Sequence, residues 1–239
     1  MKKLLIFDLD GTLAESKSAV DEEMAGLLAD LTEATRVSII SGGAWPQFRE
    51  QVVGKLPKRT RFANLLLLPT CGTKFYSYRD GWRLLYSEDF RPEQKSEIIA
   101  ALNDAFAQAG LEVAETWGEQ IEDRGGQITF SALGQLAPLE KKKLWDADFA
   151  KRQKLKECLI ERIPHYSIRL GGATSIDVTR AGIDKGHGIR KLAEFLAVDT
   201  AEMLYVGDAL FPGGNDYPAK AMGLESIEVR DVSETKHLI

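Results

Sequence analysis

The chain has 239 residues, of which 44% are hydrophobic and 28% charged. These values lie near the globular averages of about 45–50% and about 25%, which excludes disorder, a disulfide scaffold and a collagen-like repeat. Thirty-one basic against thirty-six acidic residues leave a net charge of −5, so no global positive field gathers nucleic acid or an anionic membrane, although a small anion can still bind locally.

At the start of the chain, Leu4 to Phe7 is a short apolar run that breaks at Asp8 and Asp10. It is too short for a secretion signal and has the pattern of a strand buried on both faces in a parallel sheet. Next, Val20, Met24, Leu27, Leu28 and Leu31 fall on one face of an amphipathic helix, with Ser18 and Asp21 offering a capping box at its start. Val37 to Ile40 repeats the strand pattern, ending at Ser41-Gly42-Gly43 before a helical stretch through Val53. Leu65 to Leu68, ending at Pro69, is a third strand, and as an apolar run it is far short of the roughly 18 residues a membrane helix needs. Only Cys71 and Cys158 are cysteines, too few for a disulfide framework or a four-ligand zinc site, so a reducing, cytoplasmic setting is expected.

From about Ser87 the pattern changes. Pro92 to Gln108 reads as a helix through Ile98, Ile99, Leu102 and Phe106, whereas Gln120 to Ser131 and His165 to Asp177 suit antiparallel strands with one polar face. Between them, Glu140 to Arg162 is rich in lysine and helical in its second half. Near Asp184 the earlier rhythm resumes, with Ile189, Leu192, Ala193 and Leu196 on a helix face, Met203 to Val206 as a strand ending at Gly207-Asp208, and Ile227 to Val229 as the last strand. The expected fold is therefore α/β, a Rossmann-like core with a parallel sheet and right-handed crossovers over residues 1–86 and 184–239. An α+β insertion, an antiparallel sheet with helices, occupies residues 87–183.

The chemistry-bearing residues gather at the predicted strand ends. Asp8 and Asp10 in Asp8-Leu9-Asp10-Gly11-Thr12 are two carboxylates two positions apart, which are costly to hold ionised together without a cation. Taken alone, the pentapeptide also fits an ordinary strand-ending turn. Gly207-Asp208 and the following Pro212-Gly213-Gly214-Asn215-Asp216 supply further oxygen ligands, a set that suits Mg²⁺. At Ser41 a hydroxyl and the neighbouring backbone N–H groups around Gly42 are placed to hold phosphate oxygens. Lys185 stands at a helix start, where the helix dipole disfavours a cation, so its placement needs a reason. Together these form a phosphoryl-transfer site: a carboxylate nucleophile, a second carboxylate for proton transfer, a hydroxyl and an ammonium on the phosphate, and Mg²⁺ to balance charge.

In the order and strand-end placement of these four motifs the chain resembles the haloacid dehalogenase superfamily. The resemblance implies that Asp8 is the nucleophile, forming an aspartyl-phosphate, and that Asp10 is the general acid/base and gives its backbone carbonyl to Mg²⁺. It makes Thr12, Ser41 and Gly42 phosphate ligands, Lys185 the bridge between nucleophile and phosphate, Asp208 a metal ligand, and Asn215 and Asp216 outer or water-mediated metal partners.

The place of the insertion implies a C2-type (type IIB) cap that sets specificity. Arg124-Gly125-Gly126-Gln127-Ile128, Gly171-Gly172-Ala173-Thr174-Ser175-Ile176-Asp177 and the Gly207–Asp216 region are similar to eukaryotic-type phosphomannomutases. That similarity implies that Arg124, Ser175 and Asp177 bind substrate, with Lys142 a further candidate for the anion. Where those mutases carry two more cap arginines, this chain has Gln135 and Lys142, and Pro69-Thr70-Cys71-Gly72 replaces their Pro-Glu-Asn-Gly. Lysine is a point charge where arginine is a planar fork, which weakens any site for a second phosphate. A mutase must grip both phosphates of a sugar bisphosphate; a phosphatase needs one. The expected function is Mg²⁺-dependent hydrolysis of a small phosphorylated sugar. The alternative is a phosphomannomutase interconverting mannose 6-phosphate and mannose 1-phosphate, and a third is a non-catalytic phosphosugar-binding protein. No nucleic acid or membrane partner is expected; a homodimer is left open.

Overall fold

The computed structural model describes residues 2–16, 18–171 and 174–239, so Gly172 and Ala173 of the glycine-rich stretch quoted above lie outside the described residues. In chain order the elements are β1 (Leu4–Asp8), α1 (Glu22–Ala34), β2 (Arg36–Ile40), α2 (Trp45–Phe48), β3 (Leu65–Leu68), β4 (Lys74–Tyr78) and β5 (Trp82–Ser87). Then come α3 (Pro92–Gln108), β6 (Ile121–Asp123), β7 (Gln127–Ser131), α4 (Leu139–Trp145), α5 (Ala150–Arg162), β8 (Tyr166–Gly171) and β9 (Ser175–Arg180). The chain finishes with α6 (Lys185–Leu196), β10 (Met203–Gly207), α7 (Tyr217–Ala221), β11 (Ser226–Glu228) and α8 (Val232–Leu238). These elements divide into two compact units, Met1–Ser87 with Ile183–Ile239, and Glu88–Gly182.

The first unit holds a seven-stranded sheet in the order β11-β10-β1-β2-β3-β4-β5. Its first five strands are parallel, and the central ones are nearly pure hydrocarbon because helices cover both faces. Leu4, Ile6, Ile40 and Tyr205 pack with Ile189 and Leu192 of α6 on one side, while Phe7, Val37 and Ile39 pack with Met24 and Leu28 of α1 on the other. The helix α1 begins at Asp21, whose side chain accepts from the Met24 N–H, and Glu22 and Glu23 follow in its first turn, where the helix dipole favours negative charge. The cap is thus Asp21 alone, since Ser18 sits in a preceding turn with its N–H on the Glu15 carbonyl. Asp21 also accepts from Lys236 at 2.6 Å. Truncating it in Asp21→Ala should cost about 1 kcal/mol, the usual value of a lost cap. Thermal melting should show a fall of about 2–4 °C.

Two features depart from the sequence pattern. The stretch after Ser41-Gly42-Gly43 is a short α2 that widens into a π-helical turn over Arg49–Val53. The hairpin β4–β5 adds two antiparallel strands at the sheet edge, turning at Asp80 and Gly81, both with positive φ. Its register is held by aromatic packing: Trp45 stacks on Tyr76 with ring centroids 3.9 Å apart, and Trp82 meets Tyr78 edge-on.

The second unit is a four-stranded antiparallel sheet, β6-β7-β9-β8, with α3 and α5 packed on it. Ile128, Phe130, Ile176, Val178 and Ile168 form a core with Ile98, Leu102, Leu155 and Leu159. By the two-residue alternation of a strand, Gln127, Thr129 and Ser131 of β7 and Ser175, Asp177 and Thr179 of β9 lie on the opposite face.

Candidate active site

β1 and β10 are neighbouring parallel strands with Phe7 opposite Val206, so Asp8, the last residue of β1, and Asp208, the first beyond β10, leave adjacent strand ends whose strands run ~4.8 Å apart. Asp216, just before α7, closes the group. Asp8, Asp208 and Asp216 each offer a carboxylate oxygen within 4.8 Å of the others. The close approach depends on Gly11, where φ is +91° and a Cβ would stand 2.4 Å from Asp208 Oδ2. Any side chain there would displace the carboxylate.

α6 delivers the counter-charge. Asp184 caps it by accepting from the His187 N–H at 2.9 Å, and Lys185, the first helical residue, is 1% exposed. Its ammonium donates to Asp8 Oδ1 and, at 2.5 Å, to Asp216 Oδ1. Two carboxylates thus overcome the unfavourable helix dipole. Asp216 is itself tightly held: its Oδ1 also accepts from the Tyr205 hydroxyl, and its Oδ2 from the Ala209 N–H at 3.0 Å.

Burial pushes the Asp8 carboxyl well above the usual carboxylate range; the Lys185 ammonium opposes this, and Asp216 and Asp208 reinforce it. Burial also raises Asp208, with help from Asp216. Although burial works against both, Lys185 is held above its ordinary value by Asp216 and Asp8, and Asp216 below its own by Lys185 and its hydrogen bonds. Lys185 and Asp216 therefore form a settled ion pair, and Asp8 and Asp208 hold their protons more readily than ordinary carboxyls.

Two polar atoms at this site are buried without a hydrogen-bond partner: Asp8 Oδ2 and Thr12 Oγ1. Leaving such atoms unmet costs about 1–3 kcal/mol each. They mark where a ligand completes the site, and an unmet carboxylate oxygen beside a second carboxylate fits a hard divalent cation. Ser41 is buried at the end of β2, and its Oγ accepts from the Gly43 N–H at 3.1 Å, a loop in which Gly42 is half-buried. Asp10 is half-buried in the turn after β1, its backbone paired with Ala14. Asn215 is exposed.

The cap residues singled out by sequence lie in the second unit. Asp177 accepts from Thr129 Oγ1 at 2.7 Å, which in turn accepts from Gln127 Nε2 at 2.9 Å. Ser175 pairs with Ser131 across β7 and β9. Arg124 pairs with Glu122 at 2.7 Å. Lys142 is 5% exposed and donates to the Gln135 carbonyl at 3.0 Å. Sequence reasoning passed over Tyr205, although one signal was present: a tyrosine in an otherwise apolar strand must find a partner for its hydroxyl.

Residues 5–218 match the model of the haloacid dehalogenase-like hydrolase family. Phosphomannomutase 2 of Dictyostelium discoideum is 27% identical over 222 residues, covering 90% of this chain and 85% of that protein. Among solved structures, C-terminally truncated IMP-nucleotidase of Plasmodium falciparum superposes with a TM-score of 0.74 at 16% identity, over 99% of this chain and 69% of that one. A haloacid dehalogenase-like hydrolase from Bacteroides thetaiotaomicron gives 0.64 at 15% identity, over 100% and 98%. The chain belongs to the haloacid dehalogenase-like hydrolase family.

Proposed function

We propose that the protein is a Mg²⁺-dependent phosphatase of a small phosphorylated sugar, with the first unit as catalytic core and the second as the cap that selects the sugar. The observation that carries this is Lys185 locked between Asp8 and Asp216 while Asp8 Oδ2 has no hydrogen-bond partner. A nucleophile is held and charge-compensated on one oxygen and left open on the other.

Asp8 attacks the phosphorus, and the bond to the ester oxygen breaks. Asp10 protonates the leaving oxygen, so the free sugar departs and an aspartyl-phosphate remains. Asp10, now a base, takes a proton from water, whose oxygen attacks the phosphorus; inorganic phosphate leaves and Asp8 is restored. Thr12, Ser41 and the N–H groups around Gly42 hold phosphate oxygens, and Lys185 offsets their charge. Asp8, the Asp10 carbonyl and Asp208 would hold Mg²⁺, which supplies charge neutralisation at the phosphate when bound. Asp216, with both oxygens engaged, orients Lys185, and Asn215, which is exposed, would serve the metal through water. The two thiols, Cys71 and Cys158, are unbridged, in keeping with a cytoplasmic setting.

The similarity to phosphomannomutases favours a second reading, in which the sugar returns reversed as a bisphosphate. Against it stand Gln135 in place of an arginine and a Lys142 ammonium turned onto the Gln135 carbonyl, which together offer a second phosphate no bidentate grip. Hexose 1- and 6-phosphates assayed with Mg²⁺ should release inorganic phosphate from at least one ester. Tight binding without release from any of them would replace the enzyme by a phosphosugar-binding protein.

Specificity should reside in the second unit. Asp177→Ala should raise KM for the preferred sugar phosphate about 10–100-fold, the worth of a charged hydrogen bond to a hydroxyl. It should leave kcat/KM for a small aryl phosphate within about threefold, because that ester makes no use of the contact. Equal loss on both substrates would take sugar recognition away from Asp177.

A further inference from the structure

Tyr205 is fully buried in the middle of β10, surrounded by Leu4, Ile6, Ile189, Leu192 and Ala219. A phenylalanine would fill the same space and would spare the hydroxyl its desolvation. What the hydroxyl meets is the Asp216 carboxylate, on the same Oδ1 that Lys185 uses. The backbone between them is shaped for this meeting. At Gly207, a Cβ would lie 2.5 Å from Asp216 Oδ2 and 2.8 Å from the Tyr205 ring, so only glycine lets the ring and carboxylate come together. The Ala209 N–H then closes on the other carboxylate oxygen.

We infer that Tyr205 is a positioning residue for phosphoryl transfer: its hydroxyl fixes the Asp216 carboxylate, which in turn fixes the Lys185 ammonium against Asp8. The inference rests on the proposed phosphoryl-transfer site. Three donors from three places hold Asp216: the Tyr205 hydroxyl from within β10, the Ala209 N–H from just beyond it, and Lys185 from α6. Removing the hydroxyl leaves Oδ1 with Lys185 alone. The carboxylate can then rotate about its last side-chain torsion, which is broad and soft, and the ammonium follows it. An ammonium displaced from the phosphate loses part of its preference for the charge that develops in the transition state. Rate should suffer more than substrate affinity, since the second unit and the phosphate loop still bind.

The test is a double-mutant cycle of Tyr205→Phe and Asp216→Asn, read with an aryl phosphate for kcat and KM and, in the presence of Mg²⁺, by calorimetry for binding of inorganic phosphate and of orthovanadate, which takes the five-coordinate shape of the transition state. Thermal melting and circular dichroism establish that each variant is folded. Tyr205→Phe should lower kcat about 10–100-fold with KM within threefold, the scale of one hydrogen bond to a charged group. In the Asp216→Asn background it should have little further effect, because the residue it acts through is gone. Additive losses, or a kcat within twofold of wild type for folded Tyr205→Phe, would overturn the inference. If Asp216→Asn does not fold, the kcat of Tyr205→Phe alone decides. If the wild type hydrolyses no ester, the hydrolase proposal fails by itself, and the binding arm decides for Tyr205. A fall in orthovanadate affinity of about tenfold, with phosphate affinity within threefold, supports the inference, and an unchanged orthovanadate affinity overturns it.

Discussion

Asp8→Asn should leave a folded protein with turnover reduced by about 10⁶-fold, the scale on which the loss of a nucleophile acts in covalent catalysts. The amide is isosteric with the carboxylate and its oxygen can still accept from Lys185, so packing at the end of β1 is preserved. Stability should not suffer, because burial already works against the charged form of Asp8 and the amide carries no charge to bury. What is lost is the oxygen that attacks phosphorus. With water as the sole remaining nucleophile, the barrier returns toward that of phosphate monoesters in solution, among the slowest reactions that enzymes accelerate. The comparison requires kcat on an aryl phosphate alongside thermal melting. A folded Asp8→Asn protein within tenfold of wild-type activity would remove Asp8 from the chemistry.

Chelation should have an effect of similar kind. When ionised, Asp8, Asp208 and Asp216 face, among the described residues, the one ammonium of Lys185, leaving two net negative charges before a phosphate dianion arrives. Like charges about 4 Å apart repel by about 4 kcal/mol at the effective dielectric of a partly buried site. Nucleophile and substrate therefore repel until a cation enters. Treatment with a chelator, verified by elemental analysis, should abolish detectable turnover, and Mg²⁺ should restore it. Mg²⁺ should also raise the melting temperature of the wild-type protein, since the cation binds the native carboxylate cluster and not the unfolded chain. Asp208→Asn should raise the Mg²⁺ concentration needed for half-maximal activity about 10–100-fold and diminish the melting shift. Full activity in verified metal-free protein would contradict the role given to Asp208.

The meeting of Asp8 and Lys185 was legible because each breaks a local rule. Asp8 ends an apolar strand with a second carboxylate two positions on, and Lys185 is a cation at the wrong end of a helix. The structure shows why both are tolerated: each is the other's partner. Asp216 was visible as an acidic residue after glycines, but its task was not, because that depends on Tyr205 and Ala209 being folded around it. The second unit was harder to read. Lysine-rich α4 and α5 look like solvated faces, yet Arg152 is 2% exposed and pairs with buried Asp146 at 2.6 Å. Lys142 is likewise drawn inward by a main-chain carbonyl seven residues away. Charge alone does not reveal which of several neighbouring cations a fold will bury. The edge hairpin β4–β5 was missed for a different reason: its strands present half-exposed aromatics with a register shift between Phe75 and Tyr76, so the two-residue alternation that marks a strand is broken.

Whether the phosphoryl group on Asp8 passes to water or back to a sugar is decided most directly by following mannose 1-phosphate with Mg²⁺, with and without added hexose 1,6-bisphosphate, by phosphorus NMR. With Gln135 and Lys142 unable to form an arginine-like fork, water should discharge the aspartyl-phosphate. Inorganic phosphate should then accumulate faster than mannose 6-phosphate, and bisphosphate should not stimulate the reaction. Bisphosphate-dependent interconversion of the two mannose phosphates, with little inorganic phosphate released, would contradict hydrolysis and make the protein a mutase.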